Sequence, residues 1–154
     1  MAGYFFDGIS GPQFITHGAF QMLQHGFSEE SIYWLNATDP VSLCGMQIDP
    51  LKKKLPKRVA GTHLVYRGSR LILISQRMGK KLTIHTSPED PELHEYFVVL
   101  RHFLNRKFQP KRRITIETIN DDPAPKSPYV NALRIQFDVL VDFKTVTLYR
   151  KREE

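Results

Sequence analysis

The residues best suited to chemistry in this chain are its cations, and the chemistry they suit is contact with phosphate. Lys52-Lys53-Lys54, Lys57 and Arg58 crowd one short stretch. Arg67 and Arg70 flank Gly68-Ser69, and Arg77 and Lys80 flank Met78-Gly79. Arg101 and Arg106 lie further on, in a segment with helical periodicity. Lysine and arginine on backbone phosphates give affinity without reading sequence. A two-residue turn at Gly68-Ser69 sets Arg67 opposite Arg70, and like charges in that position oppose pairing unless an anion sits between them. Arg77 and Lys80 are expected to repeat the arrangement about 25 Å away, a strand of roughly eight residues distant. That separation suits successive phosphates better than one small anion. Beside Arg67, Tyr66 could stack on a base, although a strand tyrosine more often packs. Trp34 stands in an apolar run and reads as core.

Other chemistries find less support. Asp39, in Ala37-Thr38-Asp39-Pro40, is the most tempting carboxylate for activating water, but Asp before Pro is also a routine turn former. Glu117 and Asp122 are no better placed. Six histidines, His17, His25, His63, His85, His94 and His102, include no pair three or four apart, and Cys44 is the one cysteine, so a zinc site is not expected. Cys44 reads as a small core hydrophobe. No G-x-x-x-x-G-K-[ST] loop occurs, so the 154 residues are not expected to hydrolyse ATP themselves.

Charge is spread unevenly. Positions 1–50 hold no Lys or Arg but five acids, whereas 51–88 hold ten basic residues and no acid. A second cluster, Arg101, Arg106, Lys107, Lys111, Arg112 and Arg113, has no acid between Tyr96 and Ile116. The net charge of +6 fits an anionic partner. The competing reading is a solvated basic face that meets an acidic domain. With 154 residues, 41% hydrophobic and 25% charged, one domain with a real core is the default. A lone cysteine suits a reducing cytoplasm, and no apolar run approaches the roughly 18 residues of a membrane helix.

Which elements would position these side chains? Residues 3–8 read as a short aromatic strand. Thr16 to Gln24 reads as a helix capped by Thr16 and stopped by Gly26, with Phe20 and Leu23 sharing a face. Ile32–Leu35 reads as a buried strand, and 49–57 as an exposed loop. Thr62–Arg67 and Arg70–Arg77 form the clearest hairpin, followed by a third strand, Lys80–His85; Leu71–Ile74 reads as buried on both faces. A helix is expected from Asp90-Pro91 to Phe108, with Leu93, Phe97, Leu100, Leu104 and Phe108 as its buried stripe. Arg113–Ile119 alternates as a half-buried strand, Ser127-Pro128 starts a short helix to about Phe137, and Val139–Arg150 closes as one strand. Phe14 and Leu100 are both expected in the core. The sum is α+β, with a largely antiparallel, barrel-like sheet packed by two or three helices.

Three ordered signatures add a resemblance. Gly3-Tyr4-Phe5-Phe6-Asp7-Gly8 runs into Gly11-Pro12-Gln13-Phe14. Next come Asn36-Ala37-Thr38-Asp39-Pro40 and Val59-Ala60-Gly61-Thr62-His63-Leu64-Val65-Tyr66-Arg67-Gly68. Last are Ile116-Glu117-Thr118-Ile119-Asn120-Asp121-Asp122-Pro123-Ala124 and Ser127-Pro128. In this order they resemble the C-terminal domain of the large helicase-related (Lhr) family of ATP-dependent DNA helicases. Pro12 replaces an acidic residue of that pattern, and Lys144-Thr145-Val146 replaces a basic-Gly-Leu. The resemblance implies a non-motor accessory domain of a cytoplasmic DNA repair helicase. Its partners would be single-stranded DNA and the motor domains, which would bind ATP and Mg. It also implies a shape related to alkyl-base DNA glycosylases, whose Q-x-Q motif this chain lacks. A base-excising domain and a protein-interaction module therefore stand beside the DNA-binding reading. On that last reading, the acid-only stretch 1–50 faces the motor or packs internally, while the Arg67/Arg70 hairpin faces nucleic acid.

Overall fold

The computed structural model describes residues 1–151 apart from 6, 8, 27 and 50. In chain order the strands are β1 (Ala2–Gly3), β2 (Gln13–Phe14), β3 (Ile32–Asn36), β4 (His63–Arg67), β5 (Arg70–Gln76) and β6 (Lys81–Ile84). They continue with β7 (Ile114–Ile116), β8 (Thr118–Ile119), β9 (Asp122–Pro123), β10 (Phe137–Val141) and β11 (Val146–Arg150). The helices are α1 (His17–His25), α2 (Leu51–Lys54), α3 (Val98–Asn105) and α4 (Val130–Gln136), with short 3₁₀ turns at Arg77–Gly79, Leu93–Phe97 and Ala124–Lys126. The architecture is α+β. A six-stranded sheet runs β3-β4-β5-β6-β8-β9, a three-stranded sheet runs β10-β11-β7, and β1 pairs with β2. All pairings are antiparallel except β6 with β8. Among the described residues no sheet closes into a barrel.

The β4–β5 hairpin forms as its turn chemistry dictates. Gly68 takes φ 57, Ser69 does not take positive φ, and Arg67 pairs with Arg70. A side chain at position 68 would also strike the backbone of Glu29, its Cβ lying 2.7 Å from Glu29 Cα. A register shift between Val65 and Tyr66 adds a residue to β5, which helps bury Ile72, Leu73, Ile74 and Ser75 in succession. The turn into β6 is less ordinary. Arg77, Met78 and Gly79 all have positive φ, and a Cβ on Gly79 would lie 2.6 Å from Ile114 Cγ2. Because this turn belongs to Arg77 and β6 begins at Lys81, Gln76 pairs with Lys81. Arg77 and Lys80 are therefore not the cross-strand pair expected.

Main core and small core lie on opposite faces of the large sheet. Val65, Leu73, Leu82 and Ile84 meet Leu93, Phe97, Leu100, Phe103 and Leu104 on one side. Ala37, Cys44 and Leu64 form a small cluster with Leu55, Tyr66 and Leu71. Cys44 is the buried small residue expected, at 1% exposure. The parallel β6–β8 pairing needs a crossover, and the Leu93–Phe97 turn with α3 supplies it, laid against β3, β4 and β11.

Several expectations are corrected. Phe14 is 81% exposed, because its two-residue strand pairs only with β1. The expected strand 3–8 is described only at Ala2–Gly3 and in part lies outside the described residues. Thr16 caps α1 by accepting from Ala19 N, and Gly26 ends it at φ 79, yet α1 buries no residue. β3 is an edge strand, half-buried rather than core. The 49–57 loop contains the single turn α2. The helix expected from Pro91 begins as a 3₁₀ turn at Leu93 and its α part stops at Asn105, leaving Phe108 77% exposed. The 113–119 strand breaks at Glu117, whose N–H donates to the Lys80 carbonyl. β7 therefore joins one sheet and β8 the other. The closing segment is a hairpin, β10–β11, turned at Asp142–Thr145.

Candidate nucleic-acid interface

The basic residues fall into three settings. The first is internal neutralisation. Arg67 forms an ion pair with Glu92 and donates to the Tyr96 hydroxyl at 3.2 Å. Thr86 and the N–H of Glu92 hold the nearby Asp90, whose carboxyl stays below the usual range despite some burial, helped by Arg67 and Arg70. The repulsion between Arg67 and Arg70 is thus answered by carboxylates of this chain, with no bound anion required. Arg77 and Lys80 share Glu117, at 2.9 and 3.5 Å, and Lys81 pairs with Asp121 at 2.5 Å. Arg67 is consequently no free flank of an exposed turn. Reversing its charge would press a carboxylate against Glu92, so that change is expected to disturb the fold as well as any DNA contact.

The second setting is a structural clamp. Arg58 donates to the carbonyls of Ser42 (3.1 Å), Thr38 (3.2 Å) and Asp39 (3.0 Å). It gathers the Ala37–Pro40 turn from some twenty residues away in sequence. Asp39 itself accepts from Val41 N at 3.0 Å, a turn-forming bond. Its carboxylate is therefore engaged in shaping the chain. Arg58→Ala is expected to cost about 1 kcal/mol, since three charged hydrogen bonds are lost, one of them partly buried and two exposed. Lys57→Ala, which removes no such bond, is expected to be near neutral. Paired urea titrations of the two variants measure the difference.

The third setting holds cations that form no ion pair among the described residues, although Arg70 lies within the field of Asp90. Lys52, Lys53 and Lys54 project from α2 and, with Lys57 and Arg70, are exposed. Lys53 and Lys54 rim a cavity of about 540 Å³ floored by Leu43, Leu51, Leu55, Tyr66 and Leu71. Tyr66 is packed: its ring stacks on Tyr33 at 5.4 Å, and burial pushes its hydroxyl up to about 12. Arg101 donates to the neutral Gln136 side chain (3.1 Å) and Arg106 to the Gln109 carbonyl (2.9 Å). Both line a wide-mouthed cleft of about 380 Å³ with Trp34, Val98, His102 and Asn105.

Sequence reasoning missed Glu92, Glu117 and Tyr96 as partners, and it missed Trp34 and His102 as neighbours, their rings 4.9 Å apart. One signal was available: Arg101, His102, Asn105 and Arg106 share one helical face by their spacing. Among the described residues no group of three His, Cys, Asp or Glu could hold a metal ion, and no helix is long and apolar enough to cross a membrane.

No known family model matches the chain, and no solved structure matches it. Among curated proteins it is similar to the Lhr helicase/uracil glycosylase of Escherichia coli (strain K12), 29% identical over 143 aligned residues. The match takes in 87% of this chain, which spans only 9% of the length of that relative. In its sequence as in its ordered motifs, the chain resembles the C-terminal domain of the Lhr family of helicases.

Proposed function

We propose that this chain is a non-motor, nucleic-acid-binding accessory domain of an Lhr-type ATP-dependent DNA helicase that works in cytoplasmic DNA repair. The observation that carries the reading is the similarity, along most of the chain, to a protein named for helicase activity. ATP and Mg would be bound by motor domains elsewhere in the protein. Two surface features support the division of labour. The cations that form no ion pair among the described residues, on α2, on and just after α3 and at Arg70, offer contacts to single-stranded DNA. The acid-only first third leaves Tyr4, Phe14, Met22 and Leu23 exposed, which suits packing against the motor.

The test is a salt titration of single-stranded oligonucleotide binding. If about four phosphates are contacted, log K against log salt falls with a slope near −3. Charge removal at Lys52, Lys53 and Lys54 should flatten the slope, and a salt-independent affinity would sink the electrostatic mechanism.

A second reading, base excision, is favoured by the other half of the relative's name. Asp39 would be its carboxylate, but its bond to Val41 N and the Arg58 clamp beside it argue for a turn role. Uracil release from single-stranded DNA by the chain, abolished in Asp39→Asn, would establish that reading over the first.

A further inference from the structure

We propose that the cleft between β3 and α3 is a site for one unstacked base of single-stranded DNA, with Trp34 and His102 as its aromatic wall and Arg101 and Arg106 on the flanking phosphates. The inference rests on the nucleic-acid reading above and deepens it by naming where a base is held.

The geometry supplies each part. Trp34 lies on β3, the outermost strand of the large sheet; it is half-buried, packing against the main core while also lining the cleft. His102 is exposed on α3, tilted 46° against that ring. Behind them His63 and Phe103 pack edge to face at 4.7 Å and hold the wall in place. Aromatic faces of this kind stack bases without sequence preference. The volume of about 380 Å³ falls within the roughly 300–1,000 Å³ usual for ligand clefts. The Asn105 amide donates to the Arg101 carbonyl at 3.0 Å, which leaves its side-chain oxygen as an acceptor for a base edge.

Charge points the same way. Arg67, Arg77, Lys80 and Lys81 each have a carboxylate partner. Among the described residues Arg101 and Arg106 have none, only neutral amide and carbonyl oxygens. The neighbourhood disfavours further positive charge: burial first, then His102, Arg106 and Lys111, lowers protonation of His63, and burial, Arg106 and Lys80 lower that of Lys111. The helix C-terminus by itself favours cations there. It does not explain an aromatic ring from another element set across from them.

The chain has a single tryptophan, so Trp34 emission reports on this cleft alone. Two 10-mers serve as probes: oligo-dT and an abasic strand with the same phosphates. Fluorescence anisotropy of labelled strands measures total binding. The site predicts that oligo-dT quenches Trp34 and the abasic strand does not. His102→Ala, at an exposed position, should weaken oligo-dT binding about fivefold or more and leave the abasic strand unaffected. Arg101→Gln with Arg106→Gln should weaken both strands. Binding by anisotropy with Trp34 emission unmoved and His102→Ala silent would overturn the cleft and leave the accessory-domain reading standing. No anisotropy change with either strand would overturn both.

Discussion

Leu100→Asp unfolds the chain, whereas Phe14→Asp leaves it folded; that is the expected outcome of urea titrations followed by circular dichroism. Leu100 is fully buried among residues of the two larger sheets and its own helix α3. It also reaches the Gly79 turn, where a Cβ built on Gly79 lies 3.5 Å from Leu100 Cδ2. A carboxylate there finds no described partner, and burying it costs several kcal/mol against a total stability of about 5–15 kcal/mol. Phe14 is exposed on a two-residue strand, and surface changes usually stay within about 0.5 kcal/mol. Gly79→Ala tests the same junction from the other side. Its φ of 95 and the 2.6 Å approach to Ile114 Cγ2 force the turn or the core to move. A folded Leu100→Asp chain with an unshifted midpoint would mean that the joint core is not as tightly built as described.

The second large effect is a dependence of stability on pH through His63. The residue is 5% exposed and its pKa is lowered to about 4, first by burial and then by the neighbouring His102, Arg106 and Lys111. Asn36 fixes the tautomer. Its Oδ1 accepts from Thr38 N (2.9 Å) and Thr38 Oγ1 (2.8 Å), so its Nδ2 donates to His63 Nε2 at 3.1 Å. The neutral ring therefore carries its hydrogen on Nδ1, which has no partner among the described residues. The folded state binds fewer protons than the unfolded state between about pH 4 and the ordinary value of 6.5. Stability must then rise with pH across that window and fall as pH drops through it. From pH 7 to pH 5 the loss from this group is about 2 kcal/mol. Stopping at pH 5 keeps most carboxylates charged and the effect attributable. Denaturation midpoints at pH 7, 6 and 5 check it, with His63→Gln expected to flatten the trend. Equal stability at pH 7 and 5 would refute it.

Where the chain announced itself, the information was local. Gly68-Ser69 between two strand patterns specifies its turn because few residues take φ 57, and Arg67 opposite Arg70 follows from turn length alone. Thr16 and Gly26 bracket α1 for the same kind of reason. The ordered motifs, carried by residues throughout the chain, were enough to indicate the Lhr resemblance. Local rules failed where strain or sheet switching intervened. Met78 takes φ 57 in a turn whose next residue, Gly79, leaves no room for a Cβ beside Ile114. Asp142-Phe143-Lys144-Thr145 turns a hairpin without glycine, and Glu117 hands the chain from one sheet to the other.

The sequence by itself determined the mixed α+β class, the hairpin at Gly68, the buried Cys44 and Leu100, and a strongly one-sided distribution of charge. Only the tertiary structure decided which of those charges remain available. Glu92 reaches Arg67 across 25 positions and Glu117 reaches Arg77 across 40, while Arg58 is spent on three carbonyls of a distant turn. An interaction of two charges depends on a separation of a few ångströms. Spacing along the chain sets that separation only within one helix or one hairpin. Between elements, packing of the core sets it, which is also why Trp34 and the polar face of α3 meet in space without any signature that joins them in sequence.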